Sequence, residues 1–121
     1  MKLLILLFIN FLVLTNIFSQ TNNSKYEFRG AWVATVANID WPVSSATSSS
    51  GKIKELENLF DRLEEAGINA VFFQVRPACD AFYKSEIEPW SYWLTGVQGS
   101  APDNNFDPLA TAIEMAHERN I

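Results

Sequence analysis

The chain has 121 residues, 48% hydrophobic and 19% charged, a balance that can bury a core and sets aside a disordered or fibrous protein. Its net charge of -5, its sequence pI near 4.7 and the absence of any Lys/Arg run exclude a nucleic-acid binder, which needs clustered basic side chains on phosphates. A single cysteine, Cys79, excludes an intrachain disulfide and a Cys-rich metal site. With His117 the single histidine, neither a His-based zinc site nor a Ser-His-Asp triad is expected, and no metal or cofactor is called for.

The chain opens on Lys2 and an apolar run from Leu3 to Leu14, broken only by Asn10. A membrane span wants ~20 apolar residues. This run is shorter, and polar Thr21, Asn22, Asn23 and Ser24 follow it. Residues 1–19 therefore read as a secretory signal cleaved after Ser19, and residues 20–27 as a leader. The expected destination is secreted or periplasmic, with no stable membrane insertion after cleavage. No cysteine near the cleavage point could carry a lipid.

Phe28-Arg29-Gly30-Ala31-Trp32-Val33-Ala34-Thr35-Val36 is a β-rich run with no charge after Arg29, as expected of a parallel strand buried on both faces. It runs out at Asn38-Ile39-Asp40-Trp41-Pro42. After a Ser-rich loop, Ile53, Leu56, Phe60 and Leu63 form one helical stripe, with Ser50 as N-cap and Gly67 suited to a positive φ at the end. Residues 69–75 repeat the strand pattern and end at Arg76-Pro77. A long connection from Ala78 to Asn105 carries Phe82, Tyr83, Trp90, Tyr92 and Trp93. Asp107 as N-cap and Pro108 at the first helical position open a second helix with Leu109, Ala112, Ile113 and Ala116 on its apolar face. Asn120 suits the helix end, and Ile121 reads as the start of a third strand.

This order, β-α-β-α-(β), predicts an α/β fold with a parallel sheet. Two strands and a stub cannot close a sheet, and a (β/α)8 TIM barrel needs about 250 residues. The chain is expected to be the N-terminal β-α-β-α portion of such a barrel, incomplete in itself. The rival is a doubly wound sheet, disfavoured because no Gly-x-Gly-x-x-Gly or phosphate loop follows the first strand.

In a barrel, function gathers at the carboxyl ends of the strands. Two such ends are visible, around Asp40-Trp41 and around Arg76 to Tyr83, each combining a carboxylate with an aromatic ring. Sugar sites use these groups: rings pack on sugar C–H faces, and charged side chains bond the hydroxyls. The candidate substrate-binding residues are Asp40, Trp41, Arg76, Asp80, Tyr83 and Trp90. Each has a structural reading as well. Asp40 could close its loop, Arg76 could pair with Asp80, Asp80 could brace a turn, and the loop rings could form a small core. Trp32 reads as core, Cys79 as inert and His117 as solvated.

Phe28-Arg29-Gly30-Ala31-Trp32-Val33 with Asp40-Trp41-Pro42 resembles the opening of the glycosyl hydrolase-like 10 family. Phe73-Gln74-Val75-Arg76-Pro77, Asp80-Ala81 and Tyr83, then Glu88-Pro89-Trp90-Ser91, Leu94-Thr95-Gly96 and Phe106-Asp107-Pro108-Leu109, continue the resemblance in order over residues 28–121. It implies a barrel in secreted or envelope-associated bacterial proteins, acting as glycoside hydrolases on bacterial polysaccharide, with peptidoglycan glycan strands a leading substrate class. It also implies that the catalytic carboxylates fall beyond Ile121. Cys79 departs from the family pattern, where a small residue such as Gly or Ala is expected.

Three functional expectations follow. The whole protein hydrolyses glycosidic bonds in a cell-envelope or extracellular polysaccharide; or it is a barrel that binds glycan without cleaving it; or this chain is an inactive truncated product.

Overall fold

The computed structural model describes residues 27–121, so the expected secretory signal and most of the expected leader lie outside the described residues. Two strands, β1 (Gly30–Val33) and β2 (Ala70–Phe73), pair in parallel with Gly30 opposite Ala70 and Val33 opposite Phe73. Helix α1 (Ser49–Glu65) connects them; the short α2 (Tyr92–Thr95) and then α3 (Pro108–Glu118) follow. The α/β order and the parallel sheet are as the sequence pattern requires.

The boundaries have local causes. The first apolar run reaches Val36, yet β1 stops at Val33, because the chain turns into a 3-10 segment over Val36–Asn38 with Ala37 and Asn38 at positive φ. Helix α1 begins one residue before the expected cap. Ser48, not Ser50, is the N-cap, its hydroxyl accepting from the Gly51 N–H at 3.2 Å. Its exit is a Schellman motif: the Ile68 N–H reaches the Leu63 carbonyl, the Gly67 N–H reaches the Glu64 carbonyl, and Gly67 takes φ +72°. Asp107 caps α3 as its sequence indicates, accepting from the Ala110 N–H at 3.1 Å. The long connection is less irregular than its composition suggests, since it holds α2 and a 3-10 turn over Asp103–Asn105. Ile121 enters no strand pairing among the described residues; its N–H donates to the Ala116 carbonyl.

The core lies between the sheet and the helices. Leu56 and Phe60 of α1 are fully buried with Trp41, Phe82, Leu94, Phe106 and Ala112. Each Leu or Phe side chain among them withdrawn from water contributes about 1.5–3 kcal/mol. Trp41 is the hub, with ring centroids 5.8 Å from Phe73, 5.7 Å from Phe82 and 6.5 Å from Phe106. It therefore joins β2, the loop after it and the approach to α3. Arg119 adds a polar tie between helices, donating to Asp61 of α1 at 2.6 and 2.9 Å and to the Met115 carbonyl at 2.8 Å.

Among the described residues, the helices cover only one face of the sheet. Val33, Val71 and Phe73 face the core, whereas Trp32 is 63% exposed and stacks on Phe72, itself 53% exposed, at a centroid distance of 6.3 Å. Trp32 is thus not a core residue of the described structure.

Lys52 shares the buried helical face with Leu56 and Phe60. It sits on α1 yet is completely buried, and its ammonium donates to the Ser45 and Thr47 carbonyls of the Ser-rich loop. Burial lowers its pKa below the ordinary lysine value, with Glu55 opposing the shift in part. The folded-state pKa lies below the unfolded one, so the unfolded chain holds more protons between the two values and stability rises with pH across that window. An Nζ/Cε NMR titration should show Lys52 deprotonating below the exposed lysines; an unshifted Lys52 would contradict its burial. For the hub, Trp41→Ala is expected to destabilise by about 3–5 kcal/mol in urea unfolding. A loss under ~1 kcal/mol would show that Trp41 does not organise the core.

Candidate functional site

The carboxyl ends of β1 and β2 are held together by polar groups that hydropathy does not reveal. The Gln74 N–H continues the ladder to the Val33 carbonyl at 3.0 Å. Its side-chain oxygen then accepts from the N–H groups of Thr35 and Val36, both at 3.0 Å. The buried Thr35 hydroxyl returns a bond to the Gln74 carbonyl at 2.7 Å. One amide side chain thereby satisfies the two backbone donors released where β1 turns away. A matching clamp closes the amino ends, where Asn69 accepts from the Arg29 N–H at 2.8 Å and donates to the Glu27 carbonyl at 2.7 Å.

Above the first strand end, Asp40 is exposed and folds its loop back, its carboxylate accepting from the Ala34 N–H at 2.7 Å while its own N–H reaches the Ala34 carbonyl. The neighbouring Trp41 points the other way. It is 1% exposed, and its indole N–H donates to the Lys52 carbonyl at 3.1 Å. The structure thus corrects the sugar-contact reading of Trp41, because neither face of its ring is open.

Arg76 emerges directly after β2 and is largely exposed. Its ion-pair partner is Glu88, not Asp80. Glu88 is drawn in by the Ser85 hydroxyl, which accepts from the Ile87 and Glu88 N–H groups, both at 3.1 Å. The hydrogen bond that Arg76 donates to Glu88, then the charge of that carboxylate, raises the Arg76 pKa, so the guanidinium stays cationic. Tyr83 and Cys79 lie close enough to add to that field. Asp80 is buried and accepts from the Ala78 N–H at 3.2 Å, which braces the turn through Cys79. Cys79, where the family resemblance implied a small residue, is exposed and takes φ +54°, a backbone state that favours glycine.

The loop then folds back on itself. Ala81 bridges Trp90 in parallel, through Ala81 N–H to the Pro89 carbonyl at 2.8 Å and Ser91 N–H to the Ala81 carbonyl at 3.0 Å. Trp90 is half-buried. Arg76, Asp80, Tyr83 and Glu88 therefore share one loop, and the Thr35–Gln74 bonds fix that loop against the strand end carrying Asp40. The composition of this edge is one exposed cation, three carboxylates and a phenol. It can donate and accept hydrogen bonds to a hydroxyl-rich ligand. Among the described residues no cluster of three or more His, Cys, Asp or Glu could hold a metal.

Residues 27–121 match the sequence profile described as Glycosyl hydrolase-like 10. The chain belongs to the glycosyl hydrolase-like 10 family. It is 42% identical over 120 residues to a protein of Bacillus subtilis (strain 168) named glycosyl hydrolase YngK, covering 99% of this chain and 23% of that one. It is 37% identical over 108 residues to the glycosyl hydrolase DigH of Escherichia coli (strain K12), covering 84% of this chain and 24% of the relative; DigH of Shigella flexneri matches equally. The chain thus spans about a quarter of the length of these curated relatives. The family resemblance read from the strand-end motifs is established by these matches.

Gln74 and Glu88, which build this edge, were not among the candidate substrate-binding residues, although both stand in motifs that carry the family resemblance. Gln74→Leu keeps the side-chain volume but strands two N–H groups. It should cost about 1–3 kcal/mol, read as a lower urea midpoint at unchanged slope. An unchanged midpoint would mean that the two strand ends do not depend on this amide.

Proposed function

We propose that this chain supplies the first β-α-β-α portion of a (β/α)8 barrel in a secreted or periplasmic glycoside hydrolase. That enzyme cleaves O-glycosidic bonds in a bacterial cell-envelope or extracellular polysaccharide, with peptidoglycan glycan strands as the leading substrate. The observation that carries the reading is family membership combined with a parallel β-α-β unit whose polar groups collect at the strands' carboxyl ends. The open sheet face with Phe28, Trp32 and Phe72, exposed by 67%, 63% and 53%, is what an inward barrel face offers before the remaining strands surround it. The export part of the proposal rests on the Lys2 and Leu3–Leu14 pattern. No helix among the described residues is long and apolar enough to cross a membrane.

In this reading Arg76, pre-oriented by Glu88, donates to sugar hydroxyl or carboxylate oxygens, and Tyr83 and Asp40 line the same edge. Asp80 shapes the loop that presents them. Glycoside cleavage needs two carboxyl groups about 5–9.5 Å apart, one a proton donor and the other a base or nucleophile. The carboxylates at this edge already have structural duties: Asp40 holds Ala34, Asp80 holds Ala78 and Glu88 holds Arg76. The proposed catalytic pair therefore comes from other strand ends of the barrel, and this chain's part is to bind and orient the glycan.

The test is release of new reducing ends by the whole protein from peptide-free peptidoglycan glycan strands and a panel of other polysaccharides. Arg76→Ala is expected to lower kcat/KM by about tenfold or more through the loss of charge-assisted bonds. No reducing ends from any member of the panel, with glycan binding retained, would replace the hydrolase by a non-catalytic glycan-binding barrel.

A further inference from the structure

We propose that a second concavity, separate from the strand-end edge, is an accessory subsite for one hexopyranose residue of a glycan chain; this rests on the glycan-acting reading above. It lies where the returning half of the long connection meets the start of α3, and its volume is about 480 Å³. That falls in the range of about 300–1,000 Å³ typical of small-ligand pockets. Asp40, Arg76, Asp80 and Tyr83 do not line it.

Its construction divides into an apolar floor and a donor-rich rim. Trp90, Pro102 and Phe106 form the floor, with Pro102 and Phe106 buried and Trp90 half-buried. Lys84, Asn105 and Asp107 form the rim. Asp107 is fully engaged, capping α3 with one oxygen and accepting from the Lys84 N–H at 3.4 Å with the other. That bond joins the two sides of the cleft. The Lys84 ammonium, the Asn105 amide and the Trp90 indole N–H, by contrast, make no hydrogen bond to any described residue. Asn105 is held in a 3-10 turn at φ +54°, a conformation asparagine tolerates.

An indole beside a proline and a phenylalanine presents a flat surface to a sugar's C–H face. The free N–H groups around it suit a ligand rich in oxygen acceptors, such as ring hydroxyl, acetamido or carboxylate oxygens. A lipid chain would leave the rim donors unpaired, which is costly. The backbone bridge between Ala81 and Trp90 fixes this cleft to the loop that carries Arg76, so a single glycan chain could engage both.

The test uses the double variant Lys84→Ala/Asn105→Gly in the whole protein, because both side chains are exposed and glycine keeps the positive φ at position 105. Kinetics are compared on long peptide-free peptidoglycan strands and on a tetrasaccharide of the same repeat, alongside co-sedimentation with the strands. The subsite predicts a KM on long strands raised about tenfold with kcat unchanged, weaker co-sedimentation, and unaltered tetrasaccharide kinetics. Unchanged KM and co-sedimentation on long strands, or an equal loss on the tetrasaccharide, would overturn it. If the parent protein cleaves neither substrate, co-sedimentation decides. Retention of the parent but not the variant supports the subsite while refuting hydrolysis, and retention of neither, or of both equally, refutes the subsite.

Discussion

The indole of Trp41 is the contact on which the described structure depends. It belongs to the turn after β1, yet it packs on Phe73 of β2, Phe82 of the second loop and Phe106 before α3, and its N–H is spent on the Lys52 carbonyl of α1. A short two-stranded sheet is marginal in water by itself. Here the hub ties the sheet to its crossover helix and pins two loops whose own backbones make few regular hydrogen bonds. The strand ends, and every polar side chain mounted on them, inherit their position from this packing.

That constraint explains how the two loops divide their labour. In the first, Trp41 and Pro42 go inward and Asp40 stays out to close the turn on Ala34. In the second, Phe82 and Ala81 go inward while Arg76 and Tyr83 remain nearer solvent. The Gln74 side chain couples the two, so a displacement of one loop must strain the other. Arg76 is the one cation presented directly at the end of β2, and its pairing with Glu88 holds a long flexible side chain in one orientation. Such an exposed pair adds little to stability. In the proposed function its value lies in pre-orienting donors for a ligand, which lowers the entropy lost on binding.

Much of this was legible in the sequence. The helical stripe through Leu56 and Phe60, the Asp107-Pro108 start, the positive φ at Gly67 and the parallel pairing of two apolar runs all follow from periodicity and local stereochemistry. What escaped reading was tertiary. Trp41 looked like a surface ring because it sits beside Asp40 and Pro42 on a loop, and only packing shows that the loop turns it inward. Lys52 drew no notice in the sequence although it lies on the same helical face as Leu56 and Phe60, because its charge hides a side chain whose ammonium is consumed by loop carbonyls. Arg76 could be expected to need a partner, but Asp80 was nearer in sequence. The choice of Glu88 depends on the Ser85 turn that brings it back. Trp32 read as core because an apolar strand was expected to be covered on both faces; the helices of this chain cover only one.

The proposed barrel gives these details a common direction, because such a barrel would place its chemistry on the side where Asp40, Arg76 and Tyr83 gather. The most direct test is a crystal structure of the whole protein with a bound glycan oligosaccharide. The sugar is expected over the carboxyl ends of β1 and β2, within hydrogen-bond distance of the Arg76 guanidinium. A glycan bound instead at the amino ends, beside the Arg29–Asn69 clamp, would contradict the placement of the site.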